Sequence, residues 1–183
     1  MIADFLVALV AVGIAELGDK TQLCILFMSS KTKNHTKLLI GITLGYLIVD
    51  GVAILAGSFL SALIPQFYVK VVAGGMFIAF GVMMFLEKGI CQPDKMRSQN
   101  PFLAGFLMIF MAEWGDKTQL SSGLLATQYN PLAVLAGTLV AMFTLSAMAI
   151  YAGKFITKKI NPKTMTKIAG MAFVLIGLSF IVF

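Results

Sequence analysis

Six long apolar segments take up most of this chain. They cover about residues 3–29, 38–63, 67–86, 102–126, 131–153 and 165–183. A helix of about 20 apolar residues is long enough to cross a bilayer, so each segment is a candidate span. Charged residues make up 12% of the chain, about half the share of an ordinary soluble domain. We therefore expect an all-α integral membrane protein with six transmembrane helices and no separate soluble domain.

One polar sequence interrupts two of these segments. ELGDKTQL at 16–23 recurs as EWGDKTQL at 113–120, near the middle of the first and fourth apolar segments. An ionisable side chain at that depth costs at least about 2.5–3.5 kcal/mol, so such residues usually have a function. We interpret the two motifs as the two halves of one cation site.

The two halves of the chain are related beyond the motif. Glu113 follows Glu16 by 97 residues, and an offset of 96 pairs four further features: Gly41 with Gly137, Gly57 with Gly153, 72–74 with 168–170, and Gly81 with Gly177. This predicts a first three-helix repeat at 1–90, a polar cytoplasmic linker at 91–100 and a second repeat at 101–183. Three spans per repeat is an odd number, so the second repeat is inverted, as in many secondary transporters. A duplication that only stabilises a six-helix bundle is the alternative.

The basic residues predict the orientation. Eleven of the fourteen lie in the connections after the first, third and fifth spans, which share one side of the membrane. The positive-inside rule places these connections in the cytoplasm and both termini outside, in the inner (cytoplasmic) membrane. The net charge of +6 is thereby explained without a nucleic-acid partner, although the basic loops could also attract anionic lipid. No obligate protein partner is predicted.

Spacing within each motif brings its polar groups together. On an unbroken helix Glu16 and Asp19 share a face, Gln22 continues that face, and Lys20 can reach Glu16. The second motif repeats the pattern with Glu113, Asp116, Lys117 and Gln119. Gly18 and Gly115 would allow either close helix packing or local unwinding that turns carbonyl groups toward an ion.

Pairing the two motif helices would assemble a site made only of oxygen ligands. The expected metal ligands are Glu16, Asp19, Glu113 and Asp116, supported by Thr21, Gln22, Thr118 and Gln119. Such a set suits Ca²⁺, Mn²⁺ or Mg²⁺, and the lack of nearby His or Cys argues against a dedicated Zn²⁺ or Cu⁺ site. The metal would be transported, so no prosthetic cofactor is expected.

Four carboxylates in a low-dielectric pocket cannot all be ionised without a counter-charge. Protons and a divalent cation would compete for the same oxygens, which is the minimum requirement for proton/cation exchange. Lys20 and Lys117 are expected to offset part of the negative charge. A set of purely structural salt bridges is the alternative, but it does not explain the duplication.

Asp50 is a third kind of intramembrane acid. It lies in the second span, where its repeat counterpart is Ser146. It could carry a coupling proton, serve as a ligand in one access state, or hydrogen-bond within the bundle. Ser121, Ser122 and Ser146 are weaker candidates, since back-bonding to helix carbonyls is the commoner role of such serines.

The cysteines and the glycines within the spans are interpreted as structural residues. Cys24 and Cys91 are far apart in sequence and form no C-x-x-C pair, so we expect no disulfide or thiolate metal site, and Cys24 to pack within a helix. The glycines within the spans, Gly75 among them, are expected to serve helix packing.

At the two E-x-G-D-K-T motifs the chain resembles a known family. It is similar over its whole length to the MneA-type manganese exporters, small bacterial relatives of the Golgi calcium/manganese–proton exchangers, with one E-x-G-D-[KR]-[ST] motif in the first helix of each repeat. The resemblance implies that the motif acids bind the cation and favours Mn²⁺ export over Ca²⁺/H⁺ exchange. The residues themselves do not decide between the two metals.

Two other functions are weaker. Intramembrane aspartyl proteases carry G-x-G-D, but here Glu16 and Glu113 replace the first glycine and a lysine follows each Asp, so no enzyme is expected. An exporter of small organic cations or amino acids would need an aromatic-lined cavity, and only Trp114 and Phe110 lie near the motifs in sequence.

Overall fold

The computed structural model describes residues 1–17, 19–63, 65–86, 100–156, 167, 171 and 174–180, and the regular structure in these residues is helical. The helices are α1 Ile2–Glu16, α2 Lys20–Lys31, α3 His35–Leu63, α4 Gln66–Leu86, α5 Pro101–Ala112, α6 Lys117–Ala126 and α7 Pro131–Ile156. Residues 174–180 are also helical. The predicted linker lies outside the described residues apart from Asn100, and only part of the sixth apolar segment is described.

Two helices pass the length and hydropathy test for a membrane span over the residues that the structure describes. α3 contains 26 residues of mean hydropathy 2.2, from His35 to Leu60, and α7 contains 21 residues of mean hydropathy 2.1, from Pro131 to Tyr151. Each is long and apolar enough to cross a membrane. Shorter apolar helices cover Phe67–Phe80 and Pro101–Ala112. The all-helical class is as expected, whereas the count of six spans stays a prediction.

The first and fourth apolar segments are broken helices, so the shared face that an unbroken helix would give Glu16 and Asp19 is not present. α1 ends at Glu16 and α2 begins at Lys20, while α5 ends at Ala112 and α6 begins at Lys117. Both breaks therefore fall on the repeated motif. Polar motif residues and a glycine interrupt each apolar segment there, and glycine is a poor helix former.

Helices of each half of the chain pack against helices of the other half in a reciprocal way. α3 of the first half packs on α5 and α6 of the second, and α7 of the second half packs on α1 and α2 of the first. Gly41 on α3 contacts the backbone of Phe102. At the equivalent contact, a side-chain carbon at Gly137 on α7 would lie 2.5 Å from the carbonyl oxygen of Phe5. Small residues at these positions let the helix backbones touch.

The expectation that Cys24 forms no disulfide was wrong, while a packing role of Gly75 stays a prediction. A side-chain carbon at Gly75 would meet no atom of the described residues within 4 Å. Cys24 on α2 is disulfide-bonded, and Cys91 lies outside the described residues. Distance along the chain does not limit disulfide formation, because helical connections return distant residues to one place; only the separation in space matters.

Candidate cation site

Each motif lies at the gap between two half-helices. After α1, Leu17 is extended, with φ −61° and ψ 112°. After α5, Gly115 has φ +81°, a left-handed conformation that glycine adopts without steric cost. A side-chain carbon at Gly115 would meet no atom within 4 Å. Of the two roles considered for this glycine, the structure therefore supports unwinding and not packing; Gly18 lies outside the described residues.

An aspartate begins the second half-helix in both motifs. Asp19 precedes α2 with ψ 161° and Asp116 precedes α6 with ψ 165°. Aspartate commonly caps a helix by accepting a hydrogen bond from its own first turn. Neither side chain does so here. Both carboxylates are therefore available to groups across the gap, close to the positive ends of two helix dipoles.

Three acids from the two motifs converge. Glu16, Asp19 and Asp116 each offer an oxygen, and these oxygens all lie within 4.8 Å of one another. Calcium–oxygen bonds are about 2.4 Å long, so two ligands on opposite sides of one ion are separated by about 4.8 Å. The cluster thus has the dimensions of a site for one hard cation.

The two threonines cross between the motifs. Thr21 Oγ1 donates a hydrogen bond to Glu113 Oε1 over 2.7 Å. Reciprocally, Thr118 Oγ1 donates to Glu16 Oε1. The threonine of each motif thus binds the glutamate of the other motif. Glu113, the fourth predicted acid, is 2% exposed and interacts electrostatically with Glu16, although it is not one of the three converging acids.

Each motif acid keeps one buried oxygen with no hydrogen-bond partner among the described residues. These atoms are Glu16 Oε2, Asp19 Oδ2, Glu113 Oε2 and Asp116 Oδ2, of which the last has only the ion-pair contact with Lys117, at 3.5 Å. A buried polar atom without a partner costs free energy, and each case in a protein calls for an explanation. A bound cation or a proton would satisfy all four.

Lys117 bridges the acids of the two motifs. Its Nζ lies 3.1 Å from Asp19 Oδ1 and 3.5 Å from Asp116 Oδ2, and its side chain is 6% exposed. The ammonium group therefore lies where it could neutralise part of the cluster, and its role in charge compensation stays a prediction. The side chain of Lys20 lies outside the described residues, so the equivalent contact in the first motif stays a prediction.

The two motif glutamines differ. Gln119 Oε1 accepts a hydrogen bond from Gly115 N over 2.6 Å, and its Nε2 donates to Val49 O over 3.1 Å. Gln22 Nε2 is buried without a hydrogen-bond partner. Gln119 therefore stabilises the left-handed turn at Gly115 and ties α6 to α3. The amide of Gln119 thus stabilises the helix break, whereas the Nε2 donor of Gln22 has no hydrogen-bond partner among the described residues.

Asp50 lies beside the acid cluster and outside it. Its carboxyl group is 2% exposed, and Oδ1 is 2.6 Å from Ser122 Oγ on α6. Ser122 Oγ is also 2.6 Å from the carbonyl oxygen of Thr118. Ser146, the repeat counterpart of Asp50, is fully buried and its hydroxyl has no hydrogen-bond partner.

Tyr46 is a site residue that the sequence analysis missed. It is 1% exposed, its hydroxyl is buried without a hydrogen-bond partner, and it precedes Asp50 by one turn of α3. Its phenol interacts electrostatically with Glu113, Glu16 and Asp50. The available signal was a tyrosine four residues before an acid within an apolar helix.

The aromatic residues near the second motif lie toward the surface. Trp114 is 53% exposed and stacks on Phe110, with 5.1 Å between ring centroids. Phe110 stacks in turn on Phe106 at 5.7 Å. This ladder does not favour an enclosed aromatic cage for an organic cation.

Comparison with known proteins agrees with this geometry. A family model described as "Divalent cation/proton antiporter GDT1" matches residues 4–90 and 101–182. This chain belongs to the GDT1 family. The resemblance to MneA-type exporters is thereby confirmed at the level of the family, which consists of membrane transporters and not of enzymes.

Similar proteins support the assignment over the full length. A GDT1-like protein of Synechocystis is 26% identical, and the match covers 96% of this chain and 95% of that protein. A Vibrio cholerae protein named "Putative manganese exporter" is 26% identical, with 94% and 88% covered. The GDT1-like protein 4 of Arabidopsis thaliana is 36% identical, with 42% of this chain and 34% of that protein covered. No solved structure matches this chain.

Proposed function

We propose that this member of the GDT1 family exports a divalent cation, Mn²⁺ in the first place and Ca²⁺ as the alternative, in exchange for protons. The observation that carries the proposal is the convergence of Glu16, Asp19 and Asp116 at two broken helices. One oxygen of each of these acids is buried with no hydrogen-bond partner among the described residues, and that of Asp116 has only the ion-pair contact with Lys117. Half-helix ends near the centre of the bilayer are a recurrent way to build an ion site in secondary transporters.

Glu16, Asp19, Glu113 and Asp116 are the proposed ligands. Carboxylate oxygens suit Mn²⁺ and Ca²⁺ better than they suit soft metals. Thr21 and Thr118 orient the two glutamates through the crossed hydrogen bonds. An ion bound at the cluster would therefore contact both halves of the chain at once.

Exchange follows from competition for these oxygens. The cation favours the ionised acids, and burial together with mutual repulsion favours the protonated acids. The cation would therefore be released on the side where protons are more concentrated. Lys117 would partly neutralise the cluster when no cation is bound, since its ammonium group already lies between Asp19 and Asp116.

The proposed architecture is six transmembrane helices in two inverted three-helix repeats, 1–90 and 101–183, joined by a linker at 91–100. Reciprocal packing of the halves supports it, because α3 on α5 corresponds to α7 on α1. Both termini would face outward from the cytoplasmic membrane. Mn²⁺ as substrate agrees with the name of the Vibrio relative, while the oxygen ligands would also accept Ca²⁺.

The test is metal flux in proteoliposomes with an imposed pH gradient, comparing Mn²⁺, Ca²⁺ and Mg²⁺. We expect gradient-driven Mn²⁺ movement in the wild type and none in Glu16→Gln. Asp4→Asn is the matched control, because Asp4 lies at the start of α1 and contacts the N-terminus; it should transport normally. If no divalent cation moves, or if Glu16→Gln transports like the control, the shared carboxylate site is wrong. Preferred movement of Ca²⁺ would keep the site and change the substrate.

A further inference from the structure

The hydroxyl of Ser122 has two oxygen neighbours and only one hydrogen. Ser122 Oγ lies 2.6 Å from the carbonyl oxygen of Thr118 and 2.6 Å from Asp50 Oδ1. Both are hydrogen-bond distances for oxygen pairs. Ser122 Oγ is the donor in both contacts, which share its one hydrogen in a three-centre hydrogen bond.

The carboxyl group of Asp50 is buried without a counter-charge among the described residues. It is 2% exposed, Oδ1 accepts the hydrogen bond from Ser122, and Oδ2 has no hydrogen-bond partner in the described part of the chain. A buried carboxylate without a counter-charge is costly, and such a group usually takes up a proton instead. A proton on Oδ2 would remove the buried charge and leave Oδ1 as the acceptor for Ser122.

We propose that Asp50 is a second proton-binding residue of the transporter, separate from the cation ligands, and that its proton leaves when the cation binds. This inference rests on the proposed function and adds a second proton-binding residue to it. The competition described above takes place on the ligand oxygens. Asp50 is outside that cluster. Its repeat counterpart Ser146 does not titrate, so only the first repeat has an ionisable residue at this position.

The surroundings of Asp50 allow it to respond to the cation. α3 packs on α5, α6 and α7. Tyr46 on α3 itself and Glu113 after α5 lie within electrostatic range of Asp50, Lys117 is the titratable residue of α6 and pairs with Asp19 and Asp116, and residues 131–150 of α7 contain none. Glu113 interacts electrostatically with Asp50. Two positive charges arriving at the acids would therefore weaken the hold of Asp50 on its proton.

The connection also runs through one residue of α6. Thr118 accepts the Ser122 hydrogen bond at its backbone carbonyl and donates its own hydroxyl to Glu16. On cation binding, the O–H bond of Asp50 would break, the proton would pass to water on the open side, and Ser122 would turn its hydrogen toward the new carboxylate. Return of a proton to Asp50 would restore the first arrangement when the cation leaves.

Proton release on Mn²⁺ binding tests this directly in detergent. Binding would be followed by the fluorescence of Trp114, the one tryptophan of the chain, and released protons by a pH dye at low buffer concentration. We expect Asp50→Asn to bind Mn²⁺ saturably and to release one proton fewer per ion than the wild type. Its apparent affinity should depend less steeply on pH, by about tenfold per pH unit for the one missing proton. Ser146→Ala, a buried serine at the equivalent position, should match the wild type.

Infrared difference spectra give a readout that does not depend on transport. Adding Mn²⁺ should remove a carboxylic-acid C=O band in the wild type and in Ser146→Ala. That band should be absent from Asp50→Asn and shifted in Ser122→Ala, which keeps the acid and loses the hydrogen bond that Ser122 donates to it. Equal proton release in Asp50→Asn and wild type, or no protonated carboxyl assignable to Asp50, would overturn the inference while leaving the cation site intact. A wild type that binds no divalent cation would instead overturn the proposed function and, with it, the coupled release.

Discussion

Gly57→Ala should separate the two helices that support the site. Gly57 on α3 faces the backbone of Gly123 on α6, and an added side-chain carbon would lie 2.7 Å from the Gly123 carbonyl carbon and 3.1 Å from its Cα. Non-bonded carbon atoms pack at about 3.5–4.0 Å. The carbonyl oxygen of Gly123 would be nearer still. The neighbour is backbone and cannot rotate away, so α3 and α6 must move apart by at least about 0.8 Å.

Such a shift is large enough to break the ties between these helices. The Gln119–Val49 hydrogen bond is 3.1 Å long, and an added separation of about 0.8 Å would take it beyond hydrogen-bond range. Overpacking of this kind typically costs about 1–3 kcal/mol. We therefore expect Gly57→Ala to unfold at a lower temperature, by about 2–4 °C per kcal/mol for a chain of this length, and to transport more slowly.

Gly51→Ala is the matched control on the same helix. A side-chain carbon at Gly51 would meet no atom within 4 Å, and alanine is favoured over glycine within a helix by about 0.5–1 kcal/mol. This variant should be as stable as the wild type or slightly more so, with normal transport. Thermal unfolding in detergent, followed by tryptophan fluorescence, and Mn²⁺ flux in proteoliposomes would be measured for both. Equal behaviour of the two variants would refute the packing argument.

Three further results are expected. Thr21→Ala and Thr118→Ala should weaken Mn²⁺ binding by similar factors, about 10- to 100-fold if each hydrogen bond to a charged group contributes about 1.5–3 kcal/mol, and a large effect in only one of them in a fluorescence titration would contradict the reciprocal arrangement. Lys117→Gln should bind Mn²⁺ more tightly and export it more slowly, whereas Lys117→Arg should stay closer to wild type in both; weaker binding in the glutamine variant by calorimetry would speak against charge compensation. Gln119→Leu should lower thermal stability by about 1–3 kcal/mol because two backbone groups lose their partners, and Gln22→Leu should cost less; the reverse order would show that the second break does not depend on the amide.

Residue chemistry and spacing were enough to find the motif residues. An acid within an apolar segment is costly wherever the segment lies, so Glu16, Asp19, Glu113 and Asp116 could be singled out without a structure. The doubling of the motif also indicated one shared site. Both the sequence and the geometry predict that these acids bind a cation, and this binding remains a prediction.

The helix breaks were harder to predict from the residues. Spacings of three and four residues suit an unbroken helix, and Gly115 was compatible with either packing or unwinding. Its positive φ is stabilised by the hydrogen bond that Gly115 N donates to Gln119 Oε1, and the Nε2 of the same amide donates to Val49 O, 70 residues away from Gln119. Local propensity does not contain this contact, so it could not decide between the two roles.

By itself, the sequence determined the helical class, the family and the duplicated motif, and it singled out the acids that are proposed as ligands, because these follow from composition, local spacing and the cost of burying charge. Only the tertiary structure decided how the groups pair. Thr118 reaches Glu16 across 102 residues, Lys117 bridges Asp19 and Asp116, and Ser122 meets Asp50 across 72 residues. Partners so far apart along the chain are selected by helix packing, in particular by the glycines that let α3 approach α5 and α6, and no local pattern specifies that approach.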